Sequence, residues 1–210
     1  MPSSRHARLL DARLYLVCDA IEDERLESAL RGGVDIVQLR MKDAEDAQVL
    51  EAADRFKSLT AEHDALFLIN DRPDLALQAD ADGVHIGQED GEVEHARGKI
   101  GPHRILGLST HTPQDVDGVR SDTIDYIGVG PVYATPTKPG RPAVGCELVS
   151  YAATHASVPF FAIGGIDRHS VAGVIAAGAT RLAVVRAIAD ADDPEQAARA
   201  LKSEVTVGAT

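Results

Sequence analysis

The stretch Val34 to Lys42, VDIVQLRMK, places its chemistry on alternate residues. In a strand, side chains two apart share a face. Val34, Ile36, Gln38, Arg40 and Lys42 therefore form one row, and Val37, Leu39 and Met41 form the other. The first row begins apolar and ends in an amide and two cations. Two cations carried inward on one face are costly to desolvate unless an anion meets them. Arg40 supplies a planar fork and Lys42 a point charge, a combination suited to a phosphate or diphosphate. The competing partner is a pair of nearby carboxylates.

Asn70 and Asp71 end the next apolar run, and Gly87, Gln88, Glu89 and Asp90 follow the one after it. Neighbouring strands lie about 5 Å apart, so Asp71 and Asp90 can converge on one ion. Few oxygen ligands, with room left for water and substrate phosphates, describe Mg2+ better than a Ca2+ cage. Either aspartate alone reads equally well as a helix cap. Asp80, Asp82, Gly83 and Glu89 imitate the spacing of a calcium loop, but Gln78 stands where its first ligand belongs. The eight histidines show no H-x-x-x-H spacing, which leaves zinc unsupported.

Ser109 is expected to donate a hydrogen bond to a phosphate oxygen, and His111 reads either as a general acid or base or as a capping residue. Thr135, Pro136, Thr137 and Lys138 join two hydroxyl donors to a cation in a proline-stiffened segment, with a solvated turn as the competing reading. Gly164, Gly165, Val185 and Arg186 close the last two apolar runs. Barrel enzymes often hold a phosphate at those two positions on backbone N–H groups that glycine leaves accessible.

These residues need elements that bring them to one place. Apolar runs recur at Leu14–Val17, Val34–Leu39, Leu66–Ile69, Gly83–Ile86, Ile105–Leu108, Tyr126–Val129, Phe160–Ile163 and Leu182–Val185. Amphipathic stretches such as Ala44–His63, Ser170–Ala177 and Pro194–Ser203 lie between or after them. Eight alternating units predict an α/β fold, a closed (β/α)8 TIM barrel, in preference to a doubly wound sheet. Residues 1–210 form a single domain on this reading. Residues 1–13 are an amino-terminal extension able to form a helix, and 131–145 an active-site loop after strand six. Chemistry should then collect just after the strands, as the motifs above do.

Composition narrows the function further. The formal net charge of −12 opposes general binding to nucleic acid. No apolar run is long enough to cross a bilayer, and the opening MPSSRHARLLDAR lacks an apolar signal core, so a cytoplasmic location is expected. Cys18 and Cys146 cannot build a disulfide framework and read as small hydrophobes. Small phosphorylated molecules are the expected partners, without nucleic acid or membrane. Self-association into a homo-oligomer is left open.

Taken together, QLRMK at 38–42, ND at 70–71, GQED at 87–90, STH at 109–111, TPTK at 135–138 and GGI at 164–166 resemble thiamine phosphate synthase. The resemblance runs from Tyr15 to Leu201. It implies a TIM-barrel transferase that joins a hydroxymethylpyrimidine diphosphate to a thiazole phosphate and releases diphosphate. By the same resemblance, Gln38, Leu39, Arg40, Met41, Lys42, Asn70, Ser109 and Lys138 meet the pyrimidine diphosphate, with Arg40, Lys42, Ser109 and Lys138 catalytic. One Mg2+ binds Asp71 and Asp90. Thr135, Pro136, Thr137, Gly165, Val185 and Arg186 meet the thiazole phosphate. The rivals are a thiazole tautomerase-like isomerase, which has no use for a diphosphate clamp, and a non-catalytic phosphate-ligand sensor. Arg186 stands where many relatives carry serine, and Met41 where acidic residues are common.

Overall fold

The computed structural model describes residues 4–89, 92–135 and 142–207. Eight strands close in sequence order into a parallel barrel. They are β1 (Leu14–Cys18), β2 (Ile36–Leu39), β3 (Leu66–Asn70), β4 (Gly83–Ile86), β5 (Ile105–Thr110), β6 (Tyr126–Val129), β7 (Phe160–Ile163) and β8 (Leu182–Val184). Helix α1 (Ser4–Asp11) precedes the barrel. Around it run α2 (Asp23–Arg31), α3 (Asp46–Glu62), α4 (Pro73–Gln78), α5 (Val93–Ile100), α6 (Pro113–Asp117), α7 (Gly145–His155), α8 (Val171–Ala176), α9 (Arg186–Ala189) and α10 (Pro194–Val207).

Local sequence starts several of these helices. A reciprocal capping box joins Glu45 and Gln48 at the head of α3, and another joins Thr112 and Asp115 at α6. Pro73 and Pro113 occupy first-turn positions, where the missing N–H costs nothing.

The apolar residues separate into two layers. Leu16, Val37, Leu39, Phe56 and Phe67 belong to the layer between strands and helices. Inside the barrel lie Tyr15, Val17, Ile36, Leu66, Leu68, Ile105, Tyr126, Phe161 and Ala183, joined from below by Leu9 and Ala12. The rings of Tyr15, Tyr126 and Phe161 meet edge to face, with centroids 5.4–5.9 Å apart. Space for Tyr126 depends on Gly107, where an added Cβ would come within 2.1 Å of the phenol ring.

The alternation expected from the sequence fails at the lower barrel. Val34 does not fill the interior: it packs in the outer layer, and β2 begins only at Ile36. The chain leaves α2 through Gly32 and Gly33, the latter at φ +99°, and the Val34 N–H still points back to the Ala29 carbonyl. Strand alternation does not reach back through that turn.

One device recurs at the floor. Asp35, Asp82 and Asp125 stand immediately before β2, β4 and β6. Their carboxylates accept backbone N–H groups of Leu14, Phe67 and Leu106 from the preceding strands, at 2.8–3.0 Å. Each also meets a cation: Lys202, Arg5 and Arg97 respectively. Helix α1 is pinned to the same ring by Arg5 to Asp82 and His6 to Asp125.

Candidate active site

At the carboxyl ends of the strands the barrel opens into a cavity of about 410 Å3. The pleat of β2 delivers Gln38 to it, and Arg40 and Lys42 reach it from the segment just after β2, with Asn70 at the end of β3 and Asp71 just past it alongside. Ser109 lines it from the end of β5 and His111 just after that strand, Thr135 after β6, Gly165 after β7, and Val185 and Arg186 after β8. Leu39 and Met41 do not line it. Leu39 is buried in the outer layer and Met41 packs against that layer, so their side chains face away from the mouth, as the alternation requires. Asp90, Pro136, Thr137 and Lys138 lie outside the described residues.

The two β2 cations differ in their surroundings. Lys42 pairs with Asp71 across 3.6 Å, while Arg40 forms no ion pair among the described residues. The carboxylate alternative raised by the sequence thus holds for one of the two. Asp71 takes φ +60°, a conformation that aspartate tolerates better than most residues, and its N–H donates to the His85 carbonyl at 2.8 Å. That turn carries its carboxylate from the end of β3 toward the β2 cations.

Among the described residues no three His, Cys, Asp or Glu side chains gather as for a metal. Mg2+ needs fewer protein ligands, since it keeps waters and takes substrate phosphates. Asp71, a partly exposed carboxylate at the mouth beside cations that would share the same anion, fits such an ion.

On the far side of the mouth, Gly164 and Gly165 adopt φ of +104° and +65°. An added Cβ on Gly165 would meet the Tyr133 Cβ at 2.7 Å and the Ala134 carbonyl at 3.0 Å. The site therefore presents bare backbone there, as phosphate cradles do. Arg186 is exposed at the rim and pairs with neither Asp190 nor Asp192. His111 approaches the Gly130 carbonyl through Nδ1, and Asp115 caps its N–H at 2.8 Å.

Sequence reasoning missed the floor of the cavity. Tyr15, His85, Gly128 and Phe161 also line it. Tyr15 shares the inward row of β1 with Val17, so its position was readable, but a tyrosine there looks like ordinary core.

Basic, hydroxyl and carboxylate groups converging on one opening at the strand ends define the class: a (β/α)8 barrel protein with a polar, cation-bearing mouth. The chain belongs to the family whose model is described as thiamine monophosphate synthase (TMP-TENI), which matches residues 14–188. A thiamine-phosphate synthase of Nostoc sp. is 47% identical over 98% of this chain, which spans 59% of that relative's length. One of Mycobacterium ulcerans is 46% identical over 95% of this chain and 98% of its own. The structure of thiamine phosphate pyrophosphorylase from Pyrococcus furiosus superposes with a TM-score of 0.86 at 32% identity, covering 95% of this chain and 98% of that one. No described helix is long and apolar enough to cross a membrane.

Proposed function

We propose that the protein is a thiamine phosphate synthase, joining 4-amino-2-methyl-5-hydroxymethylpyrimidine diphosphate to thiazole phosphate with release of diphosphate. The observation that carries this is the inward row of β2. Gln38, Arg40 and Lys42 all line the cavity, and Arg40 forms no ion pair among the described residues while Asp71 stands beside Lys42. That arrangement suits a diphosphate arriving with its own cation. Family membership supports the same reading.

In the proposed reaction the bond between the pyrimidine methylene carbon and the diphosphate oxygen breaks, and its electron pair leaves with the diphosphate. The thiazole nitrogen then forms a bond to the methylene carbon with its own lone pair. Arg40, Lys42 and Lys138 meet charge that grows on the leaving oxygen, which is electrostatic catalysis without a covalent nucleophile. Mg2+ held by Asp71 and Asp90 would neutralise diphosphate charge as a Lewis acid. Gln38, Asn70 and Ser109 seat the pyrimidine. Leu39 and Met41 can take part only through their backbone, because their side chains turn outward. Thr135, Pro136, Thr137, Gly165, Val185 and Arg186 receive the thiazole phosphate. A small metabolite chemistry of this kind fits a cytoplasmic enzyme that needs neither nucleic acid nor membrane.

The test is to incubate the protein with both substrates and Mg2+ and to follow thiamine phosphate and diphosphate together. Equimolar appearance of the two is expected. Conversion of the thiazole phosphate alone would make the protein an isomerase, and binding without turnover would make it a sensor.

A further inference from the structure

Asn70, Gln38, Tyr15, Tyr126, His85 and Ser109 form one hydrogen-bonded chain across the inside of the barrel. Gln38 Nε2 donates to Asn70 Oδ1 at 2.7 Å, and the Tyr15 hydroxyl donates to Gln38 Oε1 at 2.9 Å. The two phenol oxygens are 2.9 Å apart, and Tyr126 lies 2.9 Å from His85 Nδ1. His85 Nε2 lies 2.9 Å from Ser109 Oγ. Gln38, His85 and Ser109 are 3%, 9% and 7% exposed, so bulk water competes little for these groups.

The chain has a direction, because each hydroxyl has a single proton. Tyr15 commits its proton to Gln38, so the bond between the phenols uses the proton of Tyr126. The Tyr126 oxygen is then left to accept from His85 Nδ1. In a neutral imidazole a protonated Nδ1 leaves Nε2 bare, and Nε2 accepts the proton of Ser109. Desolvation raises the Tyr15 and Tyr126 phenols well above their ordinary range, which keeps both protons in place.

We infer that Tyr15, Tyr126 and His85 are positioning residues that fix the polarity of the two groups at the ends of the chain. Ser109 faces the mouth as a hydrogen-bond acceptor, and Asn70 faces it with its NH2 as a donor. This reverses the sequence expectation that Ser109 donates to a phosphate oxygen. The chain can run the other way only if both amides turn over and the imidazole proton moves, and that change would exchange both end roles together. A ring seated between them must show an N–H group to Ser109 and an acceptor to Asn70, as an amino-substituted nitrogen heteroaromatic does. The ligand's name rests on the proposed function, whereas the direction of the chain is a property of the free protein.

The experiment begins without ligand. Protein labelled with 15N-histidine is studied by two-bond 1H–15N NMR above neutral pH, and His85 is identified by the signals lost in His85→Gln. The Nδ1–H tautomer is expected. An Nε2–H tautomer or a doubly protonated ring would overturn the inference. Tyr126→Phe keeps the ring and removes the acceptor for Nδ1–H. It should release the tautomer and lower the preference in kcat/KM for the 4-amino pyrimidine diphosphate over its 4-oxo counterpart by about 10-fold, near the worth of one hydrogen bond. An unchanged tautomer and preference in folded Tyr126→Phe would also overturn it. If Tyr126→Phe does not fold, Tyr15→Phe cuts the chain one link away and is held to the same outcomes. A wild-type protein that turned over neither pyrimidine would sink the proposed function, while the tautomer would still decide the chain.

Discussion

Arg186 is the residue whose chemistry departs most from what the family resemblance implies. It sits exposed at the rim of the cavity and is paired with neither Asp190 nor Asp192, so its charge is available to a ligand. If it meets the thiazole phosphate, Arg186→Ser removes a charge-assisted hydrogen bond of roughly 1.5–3 kcal/mol, about 10- to 150-fold in affinity. The backbone around Gly165 would remain. We expect a raised KM for the thiazole phosphate with little change for the pyrimidine diphosphate, measured by varying each substrate in turn. An unchanged KM would place the guanidinium in solvent. For Asp71 the expectation is different. Asn tolerates the same left-handed backbone, so Asp71→Asn should keep the fold by circular dichroism while turnover drops and more Mg2+ is needed for half-maximal rate. An unaltered Mg2+ titration would remove Asp71 from the metal site. Arg40 and Lys42 were legible in the sequence because they continue the inward row of β2 past its end, and Asp71 because it directly follows β3, where a left-handed turn brings it round. Tyr15, His85 and Tyr126 were not, since each resembles core until barrel closure brings Tyr15 of β1 against Tyr126 of β6 across the interior.

At the scale of elements, the strands were legible within a residue or two wherever an apolar run was bounded by turn residues. At the start of β2 the two-residue difference has a cause: Val34 continues the alternation on paper but belongs to the turn after α2. The role of α1 was not legible either. The sequence offers a short amphipathic segment, and only the structure shows Leu9 entering the interior layer beneath the strands. Leu9 is buried, so Leu9→Ala should cost about 2–5 kcal/mol in urea unfolding. A loss well under 1 kcal/mol would mean that the floor collapses around the smaller side chain. The aspartates before β2, β4 and β6 are a second element-scale device, and their spacing gave no warning of it. Asp125 holds Leu106 N–H, Arg97 and His6 at once. Asp125→Ala leaves a backbone donor and a half-buried guanidinium without that acceptor. We expect a loss of about 2–4 kcal/mol by the same measurement, with catalytic constants unaltered where the protein is folded.

Across the whole molecule, floor and mouth are built for different work. The floor is tied by carboxylates, α1 and packed rings, and the mouth collects cationic, hydroxyl and carboxylate side chains. Between them lies the buried polar layer of Gln38, His85 and Ser109, while Thr135, Gly165 and Arg186 stand nearer to solvent. A vessel sealed below and filled from above imposes a queue. The ligand that rests on the polar layer has to arrive before the one that covers it. If the pyrimidine diphosphate takes the deep seat, initial rates should follow an ordered sequence with that substrate leading. An unreactive analogue of the thiazole phosphate would then inhibit uncompetitively against the pyrimidine diphosphate, because it can bind only after it. Mixed inhibition would mean that the two seats fill independently, whatever their depth.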